Sequence, residues 1–185
     1  MNLINIIPKM TSNNTPEPYK CIPRRNTHQD IVYHAFDGNK DTILCGYGAR
    51  GYKIEFAFEF DDFQFIDALQ VITYDNDSYT KPTIIALLGL NPDTKSYEAI
   101  ISTTNFDNNT IIYLENRVKY KTFYFQISCG SGNGITYVSE IKLFRDTSKD
   151  DKTSKFIKEK TLETILNNKY FNNTIPFNES VIIGE

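Results

Sequence analysis

Apolar and polar residues in this chain alternate in short runs. Tyr52, Ile54, Phe56, Phe58 and Phe60 fall on one side of an extended chain, with Lys53, Glu55 and Glu59 on the other. A period of two is the mark of a half-buried strand, so a strand is predicted over Tyr52–Phe60. Asp61-Asp62 reads as a turn, and Phe65–Tyr74 as a second strand. Pro82–Leu88 is nearly continuous apolar sequence of strand length, the pattern of a sheet covered on both faces. Asn91-Pro92-Asp93 reads as a turn. Further strands are predicted over Tyr97–Ser102, Thr110–Leu114, Tyr120–Ser128 and Ile135–Phe144, with polar breaks at Asp75–Ser78, Asn105–Asn109 and the glycine-rich Gly130–Gly134. Seven or eight strands separated by regular turn signals predict an all-β sandwich or jelly roll. The first thirty residues, with Pro8, Pro16, Pro18 and Pro23, are expected to be extended or looped.

The pattern changes after Arg145. Asp146–Asp151 is charged and reads as a linker. Phe156, Ile157, Leu162, Ile165 and Leu166 then approach helical spacing, predicting a short helix over Thr153–Asn168. Tyr170–Glu185 carries Phe171, Ile175, Phe177, Val181, Ile182 and Ile183 without a period. The expected division is a β-domain at 1–146 and, at 147–185, a linker, helix and extended tail. That tail serves as a docking arm or folds back on its own sandwich.

Composition narrows the function classes. The 185 residues are 40% hydrophobic and 23% charged with a net charge of −3. They are rich enough in apolar groups for a core, and too acidic for a default grip on nucleic acid. There are 13 Phe and 12 Tyr but no Trp, a surplus that favours strands. No run of 18 apolar residues occurs, so no membrane span is expected. The opening Met1–Pro8 lacks the basic segment of a secretory signal. Cys21, Cys45 and Cys129 are odd in number and lack metal-ligand spacing, so reduced thiols are expected.

The catalytic vocabulary is sparse. The two histidines are His28 and His34, and no nucleophile elbow, His-Glu-x-x-His pair or phosphate-binding loop occurs. Asp61-Asp62 and Glu55/Glu59 read as solvated strand carboxylates, and Arg24-Arg25 as a solvated pair. No enzyme is expected. The stretch richest in chemistry is Ala35-Phe36-Asp37-Gly38-Asn39-Lys40-Asp41-Thr42. Its clustered oxygen side chains around a turn glycine suit either a hard cation or an Asx-type turn.

Ala35-Phe36-Asp37-Gly38-Asn39-x-x-Thr42 resembles the signature of the discoidin, or coagulation-factor type C, superfamily, galactose-binding-like sandwiches that include many carbohydrate-binding modules. The segments Ile54–Phe60, Ile66–Tyr74, Pro82–Gly89, Tyr124–Ile127 and Val138–Leu143 follow in the family's order, so the resemblance covers about Pro8–Phe144. It implies a discoidin-like β-sandwich. It also implies a structural Ca²⁺ held by Asp37, Thr42, Glu140 and the carbonyl of Asn39, with a backbone oxygen of Ala35 or Phe36 completing the shell. The family usually carries Asp at Asn39 and Trp at Leu44, so the core here must be filled differently. It further implies that ligands meet loops at one end of the sandwich, here Asn26–Tyr33, Cys45–Gly51 and Asp75–Tyr79. Their candidate sugar contacts are His28, Tyr47, Arg50, Asn76, Asp77 and Tyr79.

Ile6–Pro16 followed by Ala35–Gly38 is similar to the opening of discoidin-like modules in bacteriophage virion proteins. That resemblance implies a non-enzymatic virion component, of tail, fibre or capsid surface, folded in the host cytoplasm. Its C-terminal arm would engage other virion proteins or further copies of itself. The alternative is an adhesin recognising host surface glycans.

Overall fold

The computed structural model describes residues 1–46, 53–73, 82–104, 107, 109–128 and 137–150. The chain divides into two units, Asn2–Asp146 and Met1 with Thr147–Glu185. In the second unit the described residues include a 3-10 turn over Thr147–Lys149. The predicted helix and docking arm lie outside the described residues.

In the first unit nine strands are described. They are β1 (Leu3–Asn5), β2 (Lys20–Pro23), β3 (Leu44–Cys45), β4 (Ile54–Ile72), β5 (Ile84–Leu90), β6 (Tyr97–Thr103), β7 (Ile111–Ser128), β8 (Tyr137–Val138) and β9 (Glu140–Asp146). All their pairings are antiparallel. Among the described residues no helix is long and apolar enough to cross a membrane.

Two long strands build both layers. The first half of β4 pairs with β2 (Lys20↔Glu59, Pro23↔Phe56) and with the second half of β7 (Ile54↔Ile127, Phe58↔Phe123). β5 and β6 extend this layer beyond β7. The second half of β4 pairs with the first half of β7 (Gln64↔Tyr120, Gln70↔Ile111) and with β9 (Ala68↔Phe144, Ile72↔Glu140). Beyond β9 lies β1. Register shifts between Glu59 and Gln64, and between Ile66 and Ala68, carry β4 from one layer to the other. Bulges add local twist and bend in this way.

Asp61-Asp62 is therefore not the turn that two adjacent carboxylates implied. Both residues are exposed on an unbroken strand, because a bulge lets polar side chains reach water without ending the ladder. Thr110–Leu114 and Tyr120–Ser128 likewise prove to be one strand. The intervening Glu115-Asn116 faces solvent, while Arg117 lies 4.3 Å over the Phe65 ring and 3.5 Å from the buried Asp67 carboxylate. In β5 only Ile85, Leu87 and Gly89 are buried. Ile84, Ala86, Leu88 and Leu90 are half-buried, so the expected covering of both faces is incomplete. The looped N-terminal segment contains two short strands, and the closing strand breaks at Ser139.

The alternation in the first half of β4 behaves as read. Ile54, Phe56, Phe58 and Phe60 are buried, joined by Phe123, Phe125 and Ile127 of β7. Phe56 and Phe125 stack at 5.2 Å, and Phe36 inserts against Phe58 at 4.9 Å. Leu44, where the family usually has Trp, is fully buried and pairs with Val138. Phe36 and the neighbouring phenylalanines fill the rest of the core.

Gly89 is fixed by a close approach. A Cβ there would lie 2.3–2.5 Å from atoms of the Tyr120 ring, whose hydroxyl donates to Glu98. Gly89→Ala must displace the ring and break that bond. Its expected destabilisation is about 1–3 kcal/mol, read as a lower urea midpoint; an unchanged midpoint would show that the ring is free to move aside.

Candidate functional site

Met10 donates its amide to the Phe36 carbonyl at 2.9 Å, and Val32, Ala35 and Phe36 are buried in a single 3-10 turn, Val32–Phe36. That packing presents Asp37 at the edge of the core, 8% exposed. Gly38 follows at φ +68°, a left-handed conformation in which a side chain is strained. The reversal lets Asn39 donate its amide to Asp37 Oδ1 at 2.8 Å. The Thr42 hydroxyl lies 2.7 Å from both Asp37 Oδ2 and the Asn39 carbonyl. Asp41 donates its amide to Asn39 Oδ1 at 3.1 Å. These bonds form an Asx-type turn, one of the two chemistries that the sequence left open.

Glu140 comes to the loop from the last strand of the sequence, β9. Ser139 interrupts the chain between β8 and β9 and donates its amide to the Ile72 carbonyl at 2.9 Å. Glu140 is registered against Ile72, and its carboxylate accepts the Gly38 amide. Burial, then the Asp37 charge, pushes the Glu140 carboxyl from 4.5 up to about 7, against the smaller pull of Lys142, the Gly38 amide and Lys9. Asp37, Asn39, Thr42 and Glu140 thus share one small region: two carboxylates, a carbonyl and a hydroxyl, the oxygen chemistry of a hard cation. Among the described residues no group of three or more His, Cys, Asp and Glu side chains converges to hold a metal; here only two donors are acidic. The Phe36 carbonyl, one of the two backbone oxygens expected to complete the shell, accepts the Met10 amide. Lys9 was not singled out in the sequence. Its aliphatic stem lies over Gly38, 3.7 Å from the position of an added Cβ.

The second candidate region is the set of loops at one end of the β2–β4–β7–β5 layer. Thr27 bridges to Gly46, and its hydroxyl donates to the Glu55 carbonyl at 2.8 Å. The Asn26 side-chain amide donates to the Lys53 carbonyl at 3.2 Å. The beginning of β4 lies beside the end of β7 (Ile54↔Ile127), and the end of β7 lies beside the beginning of β5 (Ile84↔Ser128). Thr83 donates its amide to Ser128 at 2.9 Å. One described flank of each candidate loop, at Asn26-Thr27, at Gly46 and Lys53, and at Thr83, therefore lies at this end of the layer. His28, half-buried, follows Thr27 there. Tyr47, Arg50, Asn76, Asp77 and Tyr79 lie outside the described residues, as does Gly130–Gly134.

Glu55, read as a solvated carboxylate, is engaged instead. It accepts the Tyr124 hydroxyl at 2.7 Å and the Gln126 amide at 3.2 Å. Burial and then Glu55 push the Tyr124 phenol up to about 12. Strand alternation already put Tyr124 and Gln126 on one face; what it lacked was the β4–β7 register. Cys21 and Cys45 are free thiols, and burial pushes Cys21 up to about 12, which leaves it inert.

The chain matches no protein-family profile and no curated protein sequence. It is similar in structure to solved carbohydrate-binding modules. The Clostridium perfringens module CpGH89CBM32-5, solved in complex with GalNAc-β-1,3-galactose, superposes with a TM-score of 0.56 and 15% identity over 69% of this chain and 95% of its own. The family 32 carbohydrate-binding module of C. perfringens NanJ, solved with galactose, gives 0.54 and 12% over 73% of this chain and 98% of its own. A chitosan-binding module from a Paenibacillus chitosanase/glucanase gives 0.53 and 13% over 76% and 98%. At these identities the likeness establishes the fold, a discoidin-like β-sandwich.

Proposed function

We propose that this chain is a glycan-binding module, with its ligand met by the loops that carry His28, Tyr47, Arg50, Asn76, Asp77 and Tyr79. The observation carrying this reading is the fold similarity, over nearly the whole length of modules solved with galactose and with GalNAc-β-1,3-galactose. The position of one flank of each loop at the same end of a layer supports it. Tyrosine rings offer a face to sugar C–H groups, and Arg, Asn and Asp bond the hydroxyls. Binding in this reading is non-catalytic. Of the two functions expected from sequence, the similarity favours glycan recognition. The virion role, with its protein partners, rests on the sequence reading, chiefly the resemblance of the opening residues.

A glycan array with the full-length protein tests the reading. Specific binding is expected, weakened about tenfold or more by Arg50→Ala or Tyr79→Ala, the scale of one lost charge-assisted hydrogen bond. Silence across the array, from protein shown to be folded, rejects it.

We further propose that Asp37, Asn39, Thr42 and Glu140 hold a structural Ca²⁺. Their oxygen chemistry fits, and the mutual repulsion of Asp37 and Glu140 is the charge arrangement a divalent ion relieves. The ion would supply cross-linking charge between the first loop and the last strand.

A further inference from the structure

A cavity lies at the other end of the same layer, where Lys20 pairs in register with Glu59 and β4 begins its bend. It is open to solvent and has a volume of about 540 Å³, within the range of small-ligand sites. Its apolar lining residues are Pro18, Tyr19 and the nearly buried Phe60. Tyr19 is fixed there by Phe58 at 6.3 Å and Phe60 at 6.2 Å. The preceding segment is tied down by Asn13, whose side chain donates to the Gln29 carbonyl at 2.6 Å and accepts the Tyr33 amide at 2.9 Å. Cys21 adds a 2.7 Å amide bond to the Asn13 carbonyl. The wall is therefore anchored at several points.

The polar lining consists of Glu17, Glu59 and Asp61 with Lys20 and Lys121, and Asn14 at the margin. Although both signs are present, no ion pair joins these side chains among the described residues. Three carboxylates against two ammonium groups leave an excess of acceptors and negative charge beside an aromatic surface.

We propose that this cavity binds a saccharide unit bearing a free amino group, as in a de-N-acetylated hexosamine. The carboxylates receive the ammonium, Lys20 and Lys121 donate to ring hydroxyls, and the C–H face rests on Tyr19. Nothing in this assignment depends on the loop end of the layer.

Calorimetric titration of the full-length protein with a short glucosamine oligomer tests it, beside the N-acetylated oligomer and spermidine. The glucosamine oligomer is expected to bind at least about tenfold more tightly than either comparison. A Glu59→Gln/Asp61→Asn double variant, its melting temperature checked against the parent, should lose that binding. Glu17→Gln, on the exposed loop, gives an independent reading if the double variant fails to fold. Equal binding of the N-acetylated oligomer overturns the role of the amine, and equal binding of spermidine overturns recognition of the sugar. Loss of binding in Arg50→Ala, with the cavity variants unaffected, returns the ligand to the loops and overturns the cavity site.

Discussion

Replacing Phe36 by alanine is expected to destabilise the domain by about 3–5 kcal/mol, the range for removing a buried aromatic ring. Phe36 is 1% exposed, with ring centroids 4.9 Å from Phe58, 5.9 Å from Phe125 and 6.0 Å from Phe56. Its neighbours belong to the paired β4 and β7, whose backbones are locked in register and have little freedom to close the space. Its carbonyl also receives the Met10 amide, and Asp37 follows directly. The variant should therefore loosen the N-terminal segment and the Asp37 turn together. Such a loss is a large fraction of the roughly 5–15 kcal/mol that holds a domain folded. Urea unfolding of parent and variant measures it. A change below about 1 kcal/mol would mean that the phenylalanine cluster repacks around the gap.

Removing calcium is expected to lower the melting temperature, and the effect should grow with pH. In calcium-free buffer Glu140 titrates at about 7 in the folded protein against an ordinary 4.5. The folded state then binds this proton more tightly than the unfolded chain. The resulting stabilisation is fully present below about pH 4.5 and is lost as pH rises through about 7. Calcium needs the ionised carboxylates, so its contribution runs the other way. At a hundredfold excess over its dissociation constant an ion adds about 2.7 kcal/mol, or about 5–10 °C for a chain of this size. Chelation at about pH 8 should remove that increment and at about pH 5 should change little. Asp37→Ala should abolish the chelator response and, by deleting the repelling charge, bring Glu140 back toward its ordinary range. A native protein indifferent to chelator at about pH 8 would leave the loop as the Asx turn its hydrogen bonds describe.

The strands were legible where side-chain alternation is local. Ile54, Phe56, Phe58 and Phe60 face the core as their spacing indicates, since successive side chains of an extended chain point to opposite sides whatever surrounds them. Strand ends were less legible. Asp61-Asp62 reads as an interruption because solvated polar residues usually mark turns, and the polar stretch after Leu114 leaves Thr110–Leu114 and Tyr120–Ser128 as separate strands. In β4 and β7 the strands continue through these polar stretches, which fall at the register shifts of the β4–β7 pairing.

The resemblance through Asp37-Gly38-Asn39-x-x-Thr42 brought the discoidin-like sandwich into view before any coordinates, and the similar solved structures have that fold. Four residues of the candidate calcium group were named from it. Lys9 and Lys142, which share the electrostatics of Glu140, were not, because each is unremarkable in its own stretch of sequence.

By itself, then, the sequence determined the all-β character, the residues that enter the core, and the turn at Gly38. Each follows from side-chain period or backbone preference within a few residues. Only the tertiary structure decided that β4 and β7 run through both layers, that Glu140 arrives against the Gly38 amide, and that Tyr19, Glu59 and Lys121 border one cavity. Those juxtapositions come from long-range strand register, and a shift of one residue would turn each of these side chains to the opposite face.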